Sequence, residues 1–201
     1  LSDLIRSGRV PMVRLTEVFR QAAQSAIIRS AHQVNQGLLP ELRNGRDQDV
    51  FFLRRLDPQR AEETIVELVS RRLPENMGIP SHQIQVLSPT RKYAGGTASL
   101  NGAIQAAVNP PAEGKGERKF GPYTFRQGDR VMQVKNNYDV MWKSNHGLEM
   151  GMGIFNGDIG HIVEIDNRRE LITVDFDGHI VEYSPDMLAE LEPAYAVTVH
   201  K

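Results

Sequence analysis

The stretch "LEPAYAVTVHK" (191–201) decides how the rest of the chain is read. Ala194 to Val199 is a short, mostly apolar run with β-branched members, the pattern of a strand buried on both faces. His200 and Lys201 follow at once, in the way a functional loop begins at a strand end. The residues before it are of another kind. "DRVMQVKN" (129–136) alternates with period two. "FNGDIGHIVEID" (155–166) and "ELITVDFDGHIVEY" (170–183) carry Asn156-Gly157 and Asp177-Gly178, dipeptides that predict hairpins. Short strands at close spacing over about sixty residues predict a small β-barrel of SH3-like type.

Upstream, the style of the last strand is already present. "VPMVRLTEVF" (10–19), "VFFLRR" (50–55) and "HQIQVLSP" (82–89) read as strands. Helices are predicted between them. Ser25 caps one that Gly37 ends, and Asp57-Pro58 opens a second that closes on Arg71 and Arg72. A third covers "TASLNGAIQAAVNP" (97–110) and stops at Pro110-Pro111. This alternation is that of an α/β fold with a parallel sheet. "PPAEGKGERKFGPYTF" (110–125) is a Pro/Gly-rich linker or crossover. The simplest topology is an α/β domain interrupted by an inserted small barrel, with "EPAYAVTVH" returning the chain to the first part. Ligands of such sheets sit beyond the strands' C-terminal ends, so the loops after Phe19, Leu87 and Val199 matter most.

Composition narrows the class without naming the function. At 201 residues with 40% hydrophobic and 24% charged, the chain suits a soluble globular protein. No apolar run approaches the roughly 18 residues needed to span a bilayer, so a membrane partner is not expected. The absence of Cys excludes a disulfide framework and a thiolate metal site, and fits a reducing cytoplasm. His146 has no second ligand at metal spacing, so no metal site is expected. The net charge of −1 is unevenly spread. Residues 1–60 hold 10 Lys/Arg against 6 Asp/Glu, and residues 91–143 hold 9 against 4. Residues 144–201 hold 3 against 11. Such blocks allow one basic face on a neutral chain.

Two loops carry phosphate-competent chemistry. Arg20 and Gln21 stand just past the first strand, where a guanidinium offers a planar fork of donors. Ser88, Thr90, Arg91 and Lys92 follow the third, with Gly95 and Gly96 to free the backbone. On residues alone the first reads as an ordinary surface arginine; the second, which could also be a polar βα loop, is the more specific, with four phosphate-competent side chains within five residues. Lys135, Asn136, Asn137 and Tyr138 are candidates for a nucleic-acid edge, or a solvated barrel rim. "MWKSNHGLEMGMG" (141–153) reads as a long loop that Trp142 anchors to the barrel or uses to stack on a base. Nothing matches the G-x-x-x-x-G-K-[ST] nucleotide loop, and no nucleophilic triad stands out.

Taken together, "RLTEVFRQAAQSAIIRSAHQVNQG", "VLSPTRK…LN", "GDRVMQVKNNYD…FNGDIG" and "AYAVTVHK" resemble the RecD-type helicases, in order and over nearly the whole chain. These are superfamily 1 motors, the exodeoxyribonuclease V alpha chain and its stand-alone relatives. The resemblance implies a 5′–3′ DNA helicase driven by ATP and Mg²⁺, acting on single-stranded DNA in recombination and repair. Residues 1–109 with 193–201 would be the second RecA-like motor domain, 110–119 a linker, and 120–192 the inserted SH3-like barrel. Arg20 would be the arginine finger on the γ-phosphate, with Gln21 beside it. Ser88, Thr90, Arg91, Lys92, Asn101, Thr198, His200 and Lys201 would lie along the DNA. In that family "TVHK" runs on into "SQG", so the chain reads as one cut inside a motif. The nucleotide-binding loop and Mg²⁺-binding acids would belong to an upstream motor domain, and this piece alone would neither hold ATP tightly nor hydrolyse it. Nuclease-complex subunits are further implied partners. The spacer between Asp139 and Phe155 is longer than the family pattern. The alternative is a non-enzymatic SH3/KOW-like module that binds nucleic acid or protein.

Overall fold

The computed structural model describes residues 2–13, 25–42, 44–45, 48–144, 147 and 149–198. They fall into two compact units that divide at Arg54/Arg55.

In the first unit, α1 (Ser2–Ser7) precedes α2 (Ala26–Asn35). The predicted cap is present: Ser25 Oγ accepts the Ile27 N–H at 3.2 Å. Asp49 completes it, taking the Ser25 hydroxyl at 2.5 Å and the Ala26 N–H at 2.9 Å. An anion is favoured at a helix N-terminus, and the Ser25 hydrogen bond leads in holding the Asp49 carboxyl below its ordinary range. Gly37 follows the helix with φ of +76°. Two strand expectations end differently. Residues 10–13 form no strand, and most of the predicted 10–19 strand lies outside the described residues. Residues 50–55 form no strand either. The Asn44 side chain takes the ladder's place, donating to Phe52 O at 2.9 Å and accepting the Phe52 N–H at 2.8 Å.

The second unit opens with α3 (Pro58–Glu67), capped by Asp57. It continues through a π-helical turn (Leu68–Arg72) into α4 (Leu73–Met77). Pro74 has no N–H to give the preceding turn, and the ladder widens there: Leu73 N–H reaches back to Leu68 O. A 3₁₀ turn (Ser81–Gln83) leads to β1 (Val86–Ser88), much shorter than the predicted 82–89 strand. α5 (Thr97–Val108) follows. Val69, Val86, Leu100, Ile104 and Ala196 form one buried cluster between these elements.

The chain then makes an antiparallel hairpin, β2 (Glu117–Phe120) with β3 (Tyr123–Arg126). The next strands are β4 (Arg130–Gln133), β5 (Asn137–Ser144), β6 (Met150–Ile154), β7 (Ile159–Asp166), β8 (Leu171–Phe176), β9 (His179–Tyr183) and β10 (Leu191–Pro193). They form a curled antiparallel half-barrel in the order β10-β4-β7-β8-β9-β5-β6. Its core includes Phe125, Val131, Ile162, Ile172, Val174, Tyr183 and Leu191. Asp177-Gly178 makes the predicted hairpin between β8 and β9, with φ of 53° and 93°. Both residues are left-handed, as a type I′ turn requires.

Two readings of this region need correction. Asn156-Gly157 is a turn but not a hairpin, because β6 and β7 are not neighbours. Gly157 N–H bonds Gln133 O at 2.8 Å, so the turn docks on the end of β4 and hands the chain across the sheet. The predicted loop 141–153 is instead largely the β5–β6 hairpin. Gly151 looked like a loop residue but makes room for a ring. A Cβ at Gly151 would stand 2.3 Å from the Trp142 indole across the ladder. Trp142 lies edge-on to His179, ring centroids 4.0 Å apart, and so anchors the hairpin to β9.

Finally, β11 (Ala196–Thr198) leaves the half-barrel and pairs with β1 in parallel, Val86 opposite Ala196 and Ser88 opposite Thr198. A buried carboxylate ties these parts together. Asp129, fully buried ahead of β4, accepts from Gln105 (2.5 Å) and Asn109 (2.7 Å) of α5 and its end. It also accepts from the Arg126 N–H (2.7 Å) and the Tyr195 hydroxyl (2.8 Å). Burial raises the Asp129 carboxyl's pKa against the pull of these donors.

Candidate nucleic-acid interface

The loop between β1 and α5 (89–96) is held in a defined shape by its own polar atoms. The Ser88 hydroxyl is buried; it donates to Gly95 O (2.8 Å), with Thr90 O near by (3.1 Å), and accepts the Thr90 N–H. Ser88 is therefore a brace inside the loop rather than a surface group. Gly96 is required by close approach, since a Cβ there would lie 2.6 Å from Lys92 O. The first N–H groups of α5 are spent within the loop, Thr97 on Thr90 O and Ala98 on Arg91 O. An incoming phosphate must therefore be met by side chains. Glu62 of α3 staples the loop from outside, accepting the Gly95 N–H at 2.9 Å and the Ser99 hydroxyl at 2.7 Å.

This bracing leaves Thr90, Arg91, Lys92 and Tyr93 on the surface. Tyr93 has φ of +72° and is 87% exposed. A left-handed backbone at a bulky residue is uncommon and marks a position that surrounding structure imposes. Nothing in the sequence pattern singled out Tyr93, because the aromatic's display depends on that backbone angle.

Parallel pairing puts the ends of β1 and β11 side by side, so Thr198 emerges beside the loop. Beside them is a cleft of about 200 Å³, lined by Arg91, Thr97, Asn101 and Thr198 and, from the half-barrel, by Asn156 and Glu192 among others. Asn156, read from sequence only as a turn residue, is thus a wall of the cleft. Arg91 does not stand free there. Its Nη2 lies 2.6 Å from both oxygens of Glu192, whose contact is the leading cause of the raised Arg91 pKa. Glu192 was missed because it is 101 residues away in the chain.

Asn101, a DNA contact in the sequence reading, spends its side-chain amide inside the fold. Its buried amide donates to Pro193 O and Ala196 O (3.0 Å each) and accepts the Ala196 N–H at 2.8 Å. It mimics a neighbouring strand and fixes where β11 runs. Of the remaining sequence-derived site residues, Arg20, Gln21, His200 and Lys201 lie outside the described residues. Among the described residues no group of three His, Cys, Asp or Glu is placed to hold a metal ion, and no helix is long and apolar enough to cross a membrane.

Two comparisons bear on this arrangement. Residues 100–176 match the family described as the ATP-dependent RecD-like DNA helicase SH3 domain. The chain is also 34% identical over 191 residues to the ATP-dependent RecD2 DNA helicase of Deinococcus radiodurans, an alignment covering 95% of this chain and 23% of that protein. The chain thus spans under a quarter of its relative's length. Residues 100–176, from α5 into the half-barrel, are thus similar to the SH3 domain of RecD-like helicases, and nearly the whole chain is similar to one part of a RecD-type helicase.

Proposed function

We propose that this chain is the part of an ATP-dependent 5′–3′ DNA helicase that grips single-stranded DNA, in recombination and repair. Residues 1–109 and 193–201 act as the second RecA-like motor domain, 110–119 as linker and 120–192 as its inserted barrel. The observation that carries the reading is the parallel register of β1 with β11. It brings Thr90, Arg91, Lys92 and Thr198 to one edge, beyond the strands' C-terminal ends, where α/β sheets bind their ligands.

In this reading Lys92 and Arg91 neutralise backbone phosphates, Thr90 and Thr198 hydrogen-bond them, and Tyr93 offers a face for a base. Ser88, Asn101 and Glu62 position the loop and strand without touching DNA. His200 and Lys201, which follow Thr198 closely in sequence, serve the same DNA contact. Arg20, with Gln21, serves ATP bound with Mg²⁺ by an upstream motor domain, its guanidinium countering charge that grows on the γ-phosphate.

Fluorescence anisotropy with a labelled oligothymidylate tests the interface. Affinity should fall steeply with salt, because bound phosphates release counterions. Lys92→Ala and Tyr93→Ala together should weaken binding about tenfold or more, as expected for one phosphate and one stacked base. Binding that ignores both salt and these substitutions would refute the interface. In the intact helicase, Arg20→Ala should abolish ATP hydrolysis and spare DNA binding; normal turnover would remove Arg20 from its role.

A further inference from the structure

A second cavity, of about 340 Å³, lies at the other end of β1. His82 and Ile84 precede that strand, whereas the candidate DNA loop follows it. Arg130 of β4 and His161 of β7, directly opposite each other in the ladder, line the cavity together with His82. Val69, Ile84 and Val108 supply an apolar wall.

The charges here are unbalanced. Arg130 Nη1 donates to the carbonyls of His82 (3.2 Å) and Ile84 (3.3 Å). Its Nε is buried with no hydrogen-bond partner. Among the described residues it has no ion pair, and no protein acceptor meets its Nη2. An under-satisfied, partly buried guanidinium asks for an acceptor that the protein does not supply. Burial, then the Arg130 and His82 charges, lower the His161 pKa, with Asp175 acting the other way. The nearby Asp129 carboxylate does not answer this charge, being occupied by four neutral donors.

We propose that this cavity is a phosphate-binding site, in which Arg130, His82 and His161 hold the phosphate of a nucleotide or of a nucleic-acid strand. Donors on three separate elements suit a tetrahedral oxyanion better than a flat carboxylate. At about 340 Å³ the space exceeds a bare phosphate and falls at the lower end of small-ligand sites, leaving room for an ester's organic part against the apolar wall. The site is independent of the DNA-gripping reading, since it uses none of those residues. An anion beside His161 favours its charged form, so binding tightens as pH falls.

The test is NMR of the His82 and His161 ring signals near pH 6.5 while inorganic phosphate replaces chloride at constant ionic strength. Both signals should move saturably, with a Kd of about millimolar order. Arg130→Gln should weaken binding about tenfold, a loss of one charge-assisted contact. The double variant His82→Ala/His161→Ala, altered only at exposed positions, should do the same by calorimetry and guards against a folding defect in the first. Displacement of phosphate by a 5′-mononucleotide or by a short oligothymidylate then identifies the source, and either supports the site. No saturable shift up to about 50 mM phosphate, far above the expected Kd, would overturn it. So would unchanged phosphate affinity in both variants.

Discussion

Replacing Asp129 by Asn tests whether one buried carboxylate joins α5, the half-barrel and the strand that returns to β1. Its Oδ1 accepts from Asn109 and Tyr195, its Oδ2 from Gln105 and the Arg126 N–H. An amide can keep only one of these oxygens. The Arg126 backbone N–H cannot turn away, so the new NH₂ takes the Oδ1 side. There the Tyr195 hydroxyl can rotate to accept, but the Asn109 amide is pinned, giving Nδ2 to Gln127 O and receiving Lys115 at its Oδ1. One buried donor is therefore orphaned, at about 1–3 kcal/mol, and the surviving bonds lose their charge assistance. Relief of a desolvated charge offsets part of this. The net is about 2 kcal/mol of lost stability at neutral pH, or a Tm lower by roughly 4–8 °C for a chain of this size. Asp129→Ala strands all four donors and should cost about 2 kcal/mol more. Urea unfolding followed by circular dichroism and by Trp142 fluorescence measures both.

The same substitution carries a pH signature. Asp129 holds its proton more tightly folded than unfolded, because burial raises its pKa above the ordinary 3.8 of an aspartate. Its contribution is thus fullest below pH 3.8 and is lost as pH rises through the folded value. Asp129→Asn should erase that component, leaving the opposite slope of Asp49, Asp166 and Asp186, whose pKa values are lowered. An Asn variant as stable as the parent at neutral pH, or equal stability of the Asn and Ala variants, would refute the hub.

Two further expectations concern the hairpin and the cleft. Gly151→Ala puts a Cβ where the Trp142 ring now lies, and should cost about 1–3 kcal/mol by overpacking. Since Trp142 is the only tryptophan, its emission should move with the ring, and an unchanged spectrum and Tm would mean the ring is seated elsewhere. Glu192→Gln removes the carboxylate that occupies Arg91, so single-stranded DNA should bind more tightly at low salt, with the slope of log K against log salt steeper by about one phosphate contact. A weaker complex would show that Glu192 aims Arg91 rather than competing with DNA for it.

What could be read without coordinates was what neighbouring residues decide between themselves. Ser25 before its helix and Asp177-Gly178 between β8 and β9 follow from caps and turn angles that a few residues fix. The same local logic misread Asn156-Gly157 and Gly151. A dipeptide specifies a bend but not which strands flank it, and Gly151 is small for the sake of an indole on another strand. Residues 50–55 have strand composition, yet Asn44 satisfies Phe52's backbone in place of a ladder.

The β-branched composition of 194–199 was enough to mark a strand after a run of hairpins, although β11 spans only Ala196–Thr198 and, of its three residues, only Ala196 is buried. That this strand lies beside β1, that Asn101 pins it there, and that Glu192 reaches Arg91 were settled only by tertiary structure. Each joins residues some 95 to 110 positions apart. Such pairings leave no periodic mark on a single chain: a carboxylate or an amide reads alike in sequence whether it faces water or holds the fold together.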